Sequence, residues 1–209
     1  VTGVQTCALP IYAHRYKYKG KWLANSVTRV LSHDMDQGTK DYIESKRSEW
    51  EPRGNTLHNC LEQYLLGAAE LNPDPYEEWW EALKNCWLWK DAKVLGVEYR
   101  MVDEKRDLAG STDFILKTAK GTTVLGDLKT VQTKSAVEKR KPATEQLGAY
   151  LYMLQQHHQI HVDKLCTVVV GPGACRVIVD DPDIAVTAWL NKWDEFKAAD
   201  RKSTRLNSS

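Results

Sequence analysis

Hydrophobic positions along the chain change their period twice, and the elements follow from that change. Leu57, Leu61, Tyr64, Leu65 and Ala68 recur at helical spacing behind Gly54, with Asn55 or Thr56 placed to cap the helix, and a polar helix at roughly 37–48 precedes them. The break at Asn72-Pro73-Asp74-Pro75 predicts a new helix with Asp74 as N-cap, Pro75 as first helical residue and Glu77 closing the capping box. Its stripe of Tyr76, Trp79, Trp80, Leu83 and Trp87 reads as core. The period then shortens. Residues 94–102, 108–117 and 122–130 are β-branched or alternating runs separated by charged or Gly-containing turns, which predicts a three-stranded antiparallel meander. A polar, basic connection at 134–142 leads to a helix over 144–157 carrying Leu147, Tyr150, Leu151 and Leu154. Two more strands, 166–170 and 175–179, flank Gly171-Pro172-Gly173-Ala174, and a last helix from Asp181-Pro182 buries Ala185, Ala188, Trp189, Trp193 and Phe196.

Helices, three strands, a helix, two strands and a helix make one α/β domain with a central mixed sheet of about five strands flanked by helices. A repeated βαβ, doubly wound order does not fit. The two ends stand apart: residues 1–11 carry no charge and no period, residues 201–209 are polar and equally patternless, and both resemble translated sequencing-adapter read-through. The single natural domain is therefore expected at 12–200.

Composition narrows the classes further. The 209 residues carry 29 Lys+Arg against 28 Asp+Glu, so no globally basic nucleic-acid binder is indicated and any such contact needs a local patch. Without the two ends, Arg201, Lys202 and Arg205 drop out and the charge becomes slightly negative. The mean hydropathy of −0.52 and the lack of a long apolar run argue against a membrane-spanning chain. Cys60, Cys86, Cys166 and Cys175 form no C-x-x-C pair, which fits buried, reduced thiols in a cytosolic compartment.

The chemistry is expected in the meander. Asp127-Leu128-Lys129 puts a carboxylate and an ammonium on one face of a strand. Such acidic-x-Lys triplets occur six times, so spacing alone decides nothing; what marks Asp127 is its apolar setting, Val124-Leu125-Gly126-Asp127-Leu128, where a charge needs a partner. Gly126 is expected to let a ligand or another backbone come close. Asp113 sits in a similar setting on the preceding strand. Two buried carboxylates repel, and a hard divalent cation relieves them; an ordinary cross-strand ion pair remains the alternative at this point. His58 lies at the edge of a helix's apolar face, and Gln146 and Tyr150, at i and i+4, share one helix face.

In order, Gly54-x-x-x-His58, Gly110-x-x-Asp113, Asp127-x-Lys129 and Gln146-x-x-x-Tyr150 resemble the four motifs of RecB-like nucleases of the PD-(D/E)XK superfamily, which includes phage exonucleases and CRISPR-associated relatives. Ser26-Val27-Thr28 looks like the stretch that precedes the first motif in phage members. The resemblance spans about residues 22–180. It implies a restriction-endonuclease-like core and a metal-dependent deoxyribonuclease, most simply an exonuclease of phage or bacterial recombination or repair. Asp113 and Asp127 would hold Mg²⁺ or Mn²⁺ with the Leu128 carbonyl and His58, and Glu98 would stand in the outer metal shell. Lys129 would position or activate the attacking water, with Gln146 and Tyr150 placing the scissile strand or the lysine. Some relatives carry an iron–sulfur cluster held by one early and several clustered late cysteines; Cys166 and Cys175 are the only late ones here, so no cluster is expected.

The expected partner is DNA, as linear ends or single strands. Lys134, Lys139, Arg140 and Lys141 line the connection after the catalytic strand, and His14, Arg15, Lys17, Lys19 and Lys21, interleaved with Tyr16, Tyr18 and Trp22, form a second basic patch suited to phosphate contact and stacking. With no nucleotide-binding loop in the sequence, unwinding would need a helicase or recombination partner. A catalytically silent DNA-end-binding or assembly subunit on the same fold remains the rival reading.

Overall fold

The computed structural model describes residues 15–157 and 160–206. Residues 1–11, His14 and residues 207–209, on which expectations fell, lie outside the described residues. In chain order the elements are β1 (Lys17–Tyr18), β2 (Lys21–Trp22), β3 (Asn25–Ser26), α1 (Val27–Leu31), α2 (Gln37–Ser45), α3 (Arg47–Leu65), α4 (Glu77–Lys84), a 3₁₀ turn (Trp87–Trp89), β4 (Lys93–Asp103), β5 (Leu108–Lys117), β6 (Thr123–Thr130), α5 (Lys134–Lys139), α6 (Thr144–His157), β7 (Lys164–Gly171), β8 (Ala174–Asp180) and α7 (Pro182–Leu206). No helix among the described residues is long and apolar enough to cross a membrane.

The sheet pivots on β5. Strand β4 runs antiparallel along one edge of it. Two different strands share the other edge. Asn25 and Ser26 of β3 pair in parallel with Leu108 and Ala109, whereas β6 pairs antiparallel only from Phe114↔Gly126 onward. Between Ala109 and Phe114 that edge of β5 has no strand partner among the described residues, and Asp113 lies in the gap. β7 continues the sheet parallel to β6, and β8 closes it antiparallel to β7. The result is the expected mixed sheet flanked by helices, with the two-residue β3 as a sixth strand that sequence periodicity is too short to reveal.

Alternation along the strands sorts two apolar layers. Ile115, Leu125 and Leu165 face α1, α6 and α7, meeting Val30, Leu147, Leu151, Leu154, Trp189 and Phe196. Phe114, Leu116, Val124, Leu128, Cys166, Val168 and Val170 face the opposite side, covered by Leu57, Leu61, Trp80, Leu83 and Trp89. Each large side chain removed from water contributes roughly 1.5–3 kcal/mol, so both faces of the sheet are secured. By the same alternation Asp113, Asp127 and Lys129 belong to the α6 side, which aims them at Gln146 and Tyr150.

Four local expectations are overturned. Asn55 and Thr56 do not begin a helix: α3 runs from Arg47 straight through Pro52 and Gly54. Arg47 grips Glu51 at 2.9 Å in both arms of its fork, and Leu57, Cys60 and Leu61 bury against the sheet, contacts that outlast the weak intrinsic propensity of the Pro/Gly segment. Asp74 is not an N-cap and Pro75 is not helical, because Tyr76 N–H closes a turn onto the Pro73 carbonyl at 2.6 Å and α4 starts only at Glu77. Trp87 is not core; α4 ends at Lys84, and the 3₁₀ turn leaves Trp87 64% exposed while burying Leu88 and Trp89. The connection after β6 is not wholly loop, since Thr133 caps α5 and Val137 is buried beside Gly171.

Candidate active site

The gap in the β5 edge is filled by side chains from four other elements. Gly110 opens it: a Cβ there would stand 2.6 Å from the Tyr150 ring and 2.8 Å from Val27, so only glycine lets the α6 tyrosine lie across the strand. Ser26 holds Val27 in place by capping α1, its hydroxyl accepting from the Arg29 N–H at 3.2 Å. Gly126, expected to admit a ligand or backbone, instead makes room for the Phe114 ring, which a Cβ would meet at 2.1 Å. Its carbonyl accepts from buried Thr112 at 2.8 Å.

Two linked groups of polar side chains occupy the opening. In the first, His58 Nδ1 lies 3.2 Å from Asp113 Oδ1, and ligand-capable atoms of His58, Glu98 and Asp113 all fall within 4.8 Å of one another. Ser111 donates to Glu98 Oε2 at 3.2 Å. Glu98 is carried there by an irregular strand: the β4–β5 register slips between Val94 and Gly96, and Glu98 itself has φ +44°. A non-glycine residue in the left-handed region costs of order 1–3 kcal/mol, a strain typical of residues held for a purpose. In the second group, Gln146 donates from Nε2 to Asp127 Oδ1 at 2.7 Å and to the Tyr150 hydroxyl at 2.8 Å, while its Oε1 accepts from Lys129 Nζ at 2.8 Å. Lys129 Nζ also stands 2.8 Å from Asp127 Oδ2. That contact is a charge pair lacking hydrogen-bond alignment, so Asp127 Oδ2, in a residue 2% exposed, has no aligned donor.

Electrostatics couple the groups. Burial would lower the His58 pKa, but the charge and hydrogen bond of Asp113, with Asp127 and Glu98 behind it, outweigh burial and raise it to about 9. Burial and the Asp113 charge push Glu98 up to about 7 against the opposing pull of His58. Asp113 is held low despite burial, by His58 and by the Leu128 N–H. Asp127 goes up, because burial and Asp113 prevail over Lys129. Without a cation, the proton on His58 supplies the positive charge this carboxylate cluster requires.

Every catalytic and metal candidate from the sequence therefore gathers here: His58, Glu98, Asp113, Asp127, Leu128, Lys129, Gln146 and Tyr150. Because the β5–β6 ladder stops at Gly126, the Leu128 main chain faces Asp113, its N–H donating to Asp113 Oδ2. Of the basic candidates, Arg140 and Lys141 line a groove of about 460 Å³ with Lys129, Thr144 and Gln146, whereas Lys134 and Lys139 lie on α5 outside it. In the amino-terminal hairpin Lys19 and Lys21 pair with Glu104 and Asp107, and Arg15 and Lys17 lie over the Trp22 ring. Sequence reasoning missed Ser111, the Glu98 donor, and Arg53, a cation in register with the apolar stripe Leu57–Leu61 that could have drawn notice.

The family described as the PD-(D/E)XK nuclease superfamily matches residues 89–201, more than half of the chain. The chain belongs to that superfamily, whose nucleases use divalent metals. No curated protein matches significantly. Among solved structures, the crystal structure of SSO0001 is similar at 15% identity and a TM-score of 0.41, over 80% of this chain and 73% of that one.

Proposed function

We propose that this nuclease domain hydrolyses DNA phosphodiester bonds with a divalent cation held by His58, Asp113 and Asp127, and that it acts as a RecB-like exonuclease in recombination or repair. The observation that carries the reading is the pairing of Lys129, clamped between Asp127 and Gln146, with the His58–Glu98–Asp113 cluster across the gap. The donor set fits a hard or borderline cation: carboxylate oxygens and one imidazole, with the buried Asp127 Oδ2 lacking an aligned donor. Such a cation supplies Lewis-acid polarisation of a phosphoryl oxygen and eases deprotonation of water.

The chain's own residues do the rest. Lys129 offers three donors and a full charge; Gln146 aligns it by a hydrogen bond and Asp127 balances it by charge, so the ammonium is pre-aimed at charge growing on the phosphoryl oxygens. The Gln146 amide uses both hydrogens, on Asp127 and Tyr150, which locks its carbonyl toward Lys129 and holds the nucleophile-side geometry without reorganisation. Arg140 and Lys141, on the groove that Lys129 also lines, neutralise phosphates of the entering strand. End-labelled linear DNA and closed circular DNA, incubated with EDTA, Mg²⁺ or Mn²⁺, test the reading. Degradation of linear DNA alone, dependent on metal and lost in Lys129→Ala, is expected; cleavage that survives Lys129→Ala would refute the site, and cleavage of circles would refute the exonuclease mode. A protein that binds ends but never cuts would favour the silent end-binding subunit.

A further inference from the structure

Arg53 is 5% exposed, on the face of α3 that also buries Leu57, Cys60 and Leu61. Among the described residues no carboxylate pairs with it. Its Nη1 donates to the Glu49 carbonyl of its own helix at 3.3 Å and to Gln132 Oε1, and its buried Nε has no acceptor among the described residues. Burial holds its pKa below the ordinary arginine value, against only weak support from Tyr76 and Glu49, yet a guanidinium stays charged at any working pH. A buried cation left unpaired is costly, and folded proteins nearly always supply it with an anion. Here none of the described residues does.

The location says where an anion would come from. Gln132, the only side chain among the described residues that accepts from Arg53, is exposed and lies three residues beyond Lys129 on the same strand exit. Gly54, next to Arg53, is one helical turn before His58 and so on the same face of α3. A Cβ on Gly54 would meet nothing within 4 Å, so open space lies along α3 on the His58 side of Arg53.

We propose that Arg53 is a second phosphate seat: its guanidinium takes a backbone phosphate of the bound strand beside the one at Lys129, and Gln132 occupies that donor in the free protein and yields it on binding. The proposal rests on the nuclease reading above. A guanidinium fork suits this role because it meets two phosphoryl oxygens at once, and Gln132 offers only a neutral acceptor that a charged phosphate displaces. The competing role is a strut that merely fastens α3 to the end of β6.

Binding of a fluorescein-labelled single-stranded oligonucleotide, followed by anisotropy in EDTA from roughly 50 to 200 mM salt, separates the two. Arg53→Met is expected to weaken binding about tenfold and to flatten the slope of log affinity against log salt by about 0.7, the loss of one phosphate contact on a single strand. Its melting temperature should not fall, because an apolar side chain of similar length replaces an unpaired buried charge. Gln132→Ala, an exposed change that folds in either case, should tighten binding about two- to threefold by removing the internal competitor. Unchanged affinity and slope in Arg53→Met overturns the seat. Should Arg53→Met fail to fold, Gln132→Ala decides: a lower melting temperature with unchanged affinity overturns the seat and makes Arg53 a strut. A wild-type protein that neither binds nor cuts DNA overturns the nuclease reading itself, whereas one that cuts normally with Arg53→Met binding as tightly overturns only this inference.

Discussion

Gly148→Ala is a single-methyl change expected to damage both stability and the site. Helices α6 and α7 meet so closely at Gly148 that a Cβ would sit 2.0 Å from the Ala185 carbonyl oxygen, 2.4 Å from its carbon and 3.1 Å from Val186 N. All three are main-chain atoms, and a rotamer change cannot relieve them. Restoring ordinary contact requires the helices to part by roughly 1 Å or more, along a seam that buries Leu151, Trp189 and Trp193. Overpacking of this kind costs typically 1–3 kcal/mol, and opposed backbones place it at the upper end, about 3 kcal/mol. For a domain of this size that lowers the melting temperature by about 6–12 °C. Gln146 and Tyr150 stand two residues either side of Gly148, and their bonds to Asp127, Lys129 and each other are 2.7–2.8 Å long. An ångström of helix displacement breaks them and should slow cleavage about a hundredfold. The internal control is Gly54→Ala, equally helical but with nothing within 4 Å of its Cβ, expected to gain up to about 1 kcal/mol. Thermal unfolding by circular dichroism and initial rates on linear DNA with Mg²⁺ provide both readouts. If Gly148→Ala melts within about 2 °C of the wild type, the close α6–α7 approach and the reasoning built on it are wrong.

Three further outcomes are expected. Gln146→Met, which keeps side-chain volume but removes the amide that aligns Lys129, should slow cleavage roughly ten- to a hundredfold and, by leaving buried Asp127 Oδ1 without its donor, cost about 1–3 kcal/mol of stability; an unaltered rate would remove Gln146 from the site. In EDTA, stability should fall from pH 4.5 toward pH 7, where folded Glu98 keeps the proton that the unfolded chain has lost, and fall again from about 6.5 to 9, where folded His58 alone stays protonated. Glu98→Gln should erase the first decline and His58→Gln the second, and Mg²⁺ should offset both by favouring the deprotonated ligands; flat melting curves across this range would contradict the coupling. Trp189→Ala should cost about 3–5 kcal/mol and Trp87→Ala within about 0.5 kcal/mol, since one is fully buried and the other 64% exposed; comparable losses in denaturant titration would refute the placement of the 3₁₀ turn.

Periodicity was enough for the five longer strands and for α6. The meander, the helix at 144–157 and the final two strands all form where alternating or 3.6-residue patterns place them, because burying one face of each is the dominant free-energy term. Where local chemistry competed with tertiary packing, the sequence misled. Pro52 and Gly54 look like a helix boundary and are not, because Leu57 and Leu61 are anchored against the sheet; Asp74 looks like a cap, and the turn closed by Tyr76 displaces it.

The residues of the candidate site were also legible, since a buried Asp-x-Lys on one strand face, a second carboxylate on its neighbour and an i, i+4 Gln/Tyr pair need no coordinates to be noticed. What no pattern along the chain discloses is the vacancy that receives them. Only three-dimensional pairing leaves the β5 edge unoccupied between the two-residue β3 and the start of β6. The same pairing brings His58 across from the opposite layer and twists Glu98 into the left-handed region to face Asp113. Residue identity and period determined the elements and the chemistry on offer. Long-range contacts, whose energies depend on atoms far apart in sequence, decided which of those groups meet.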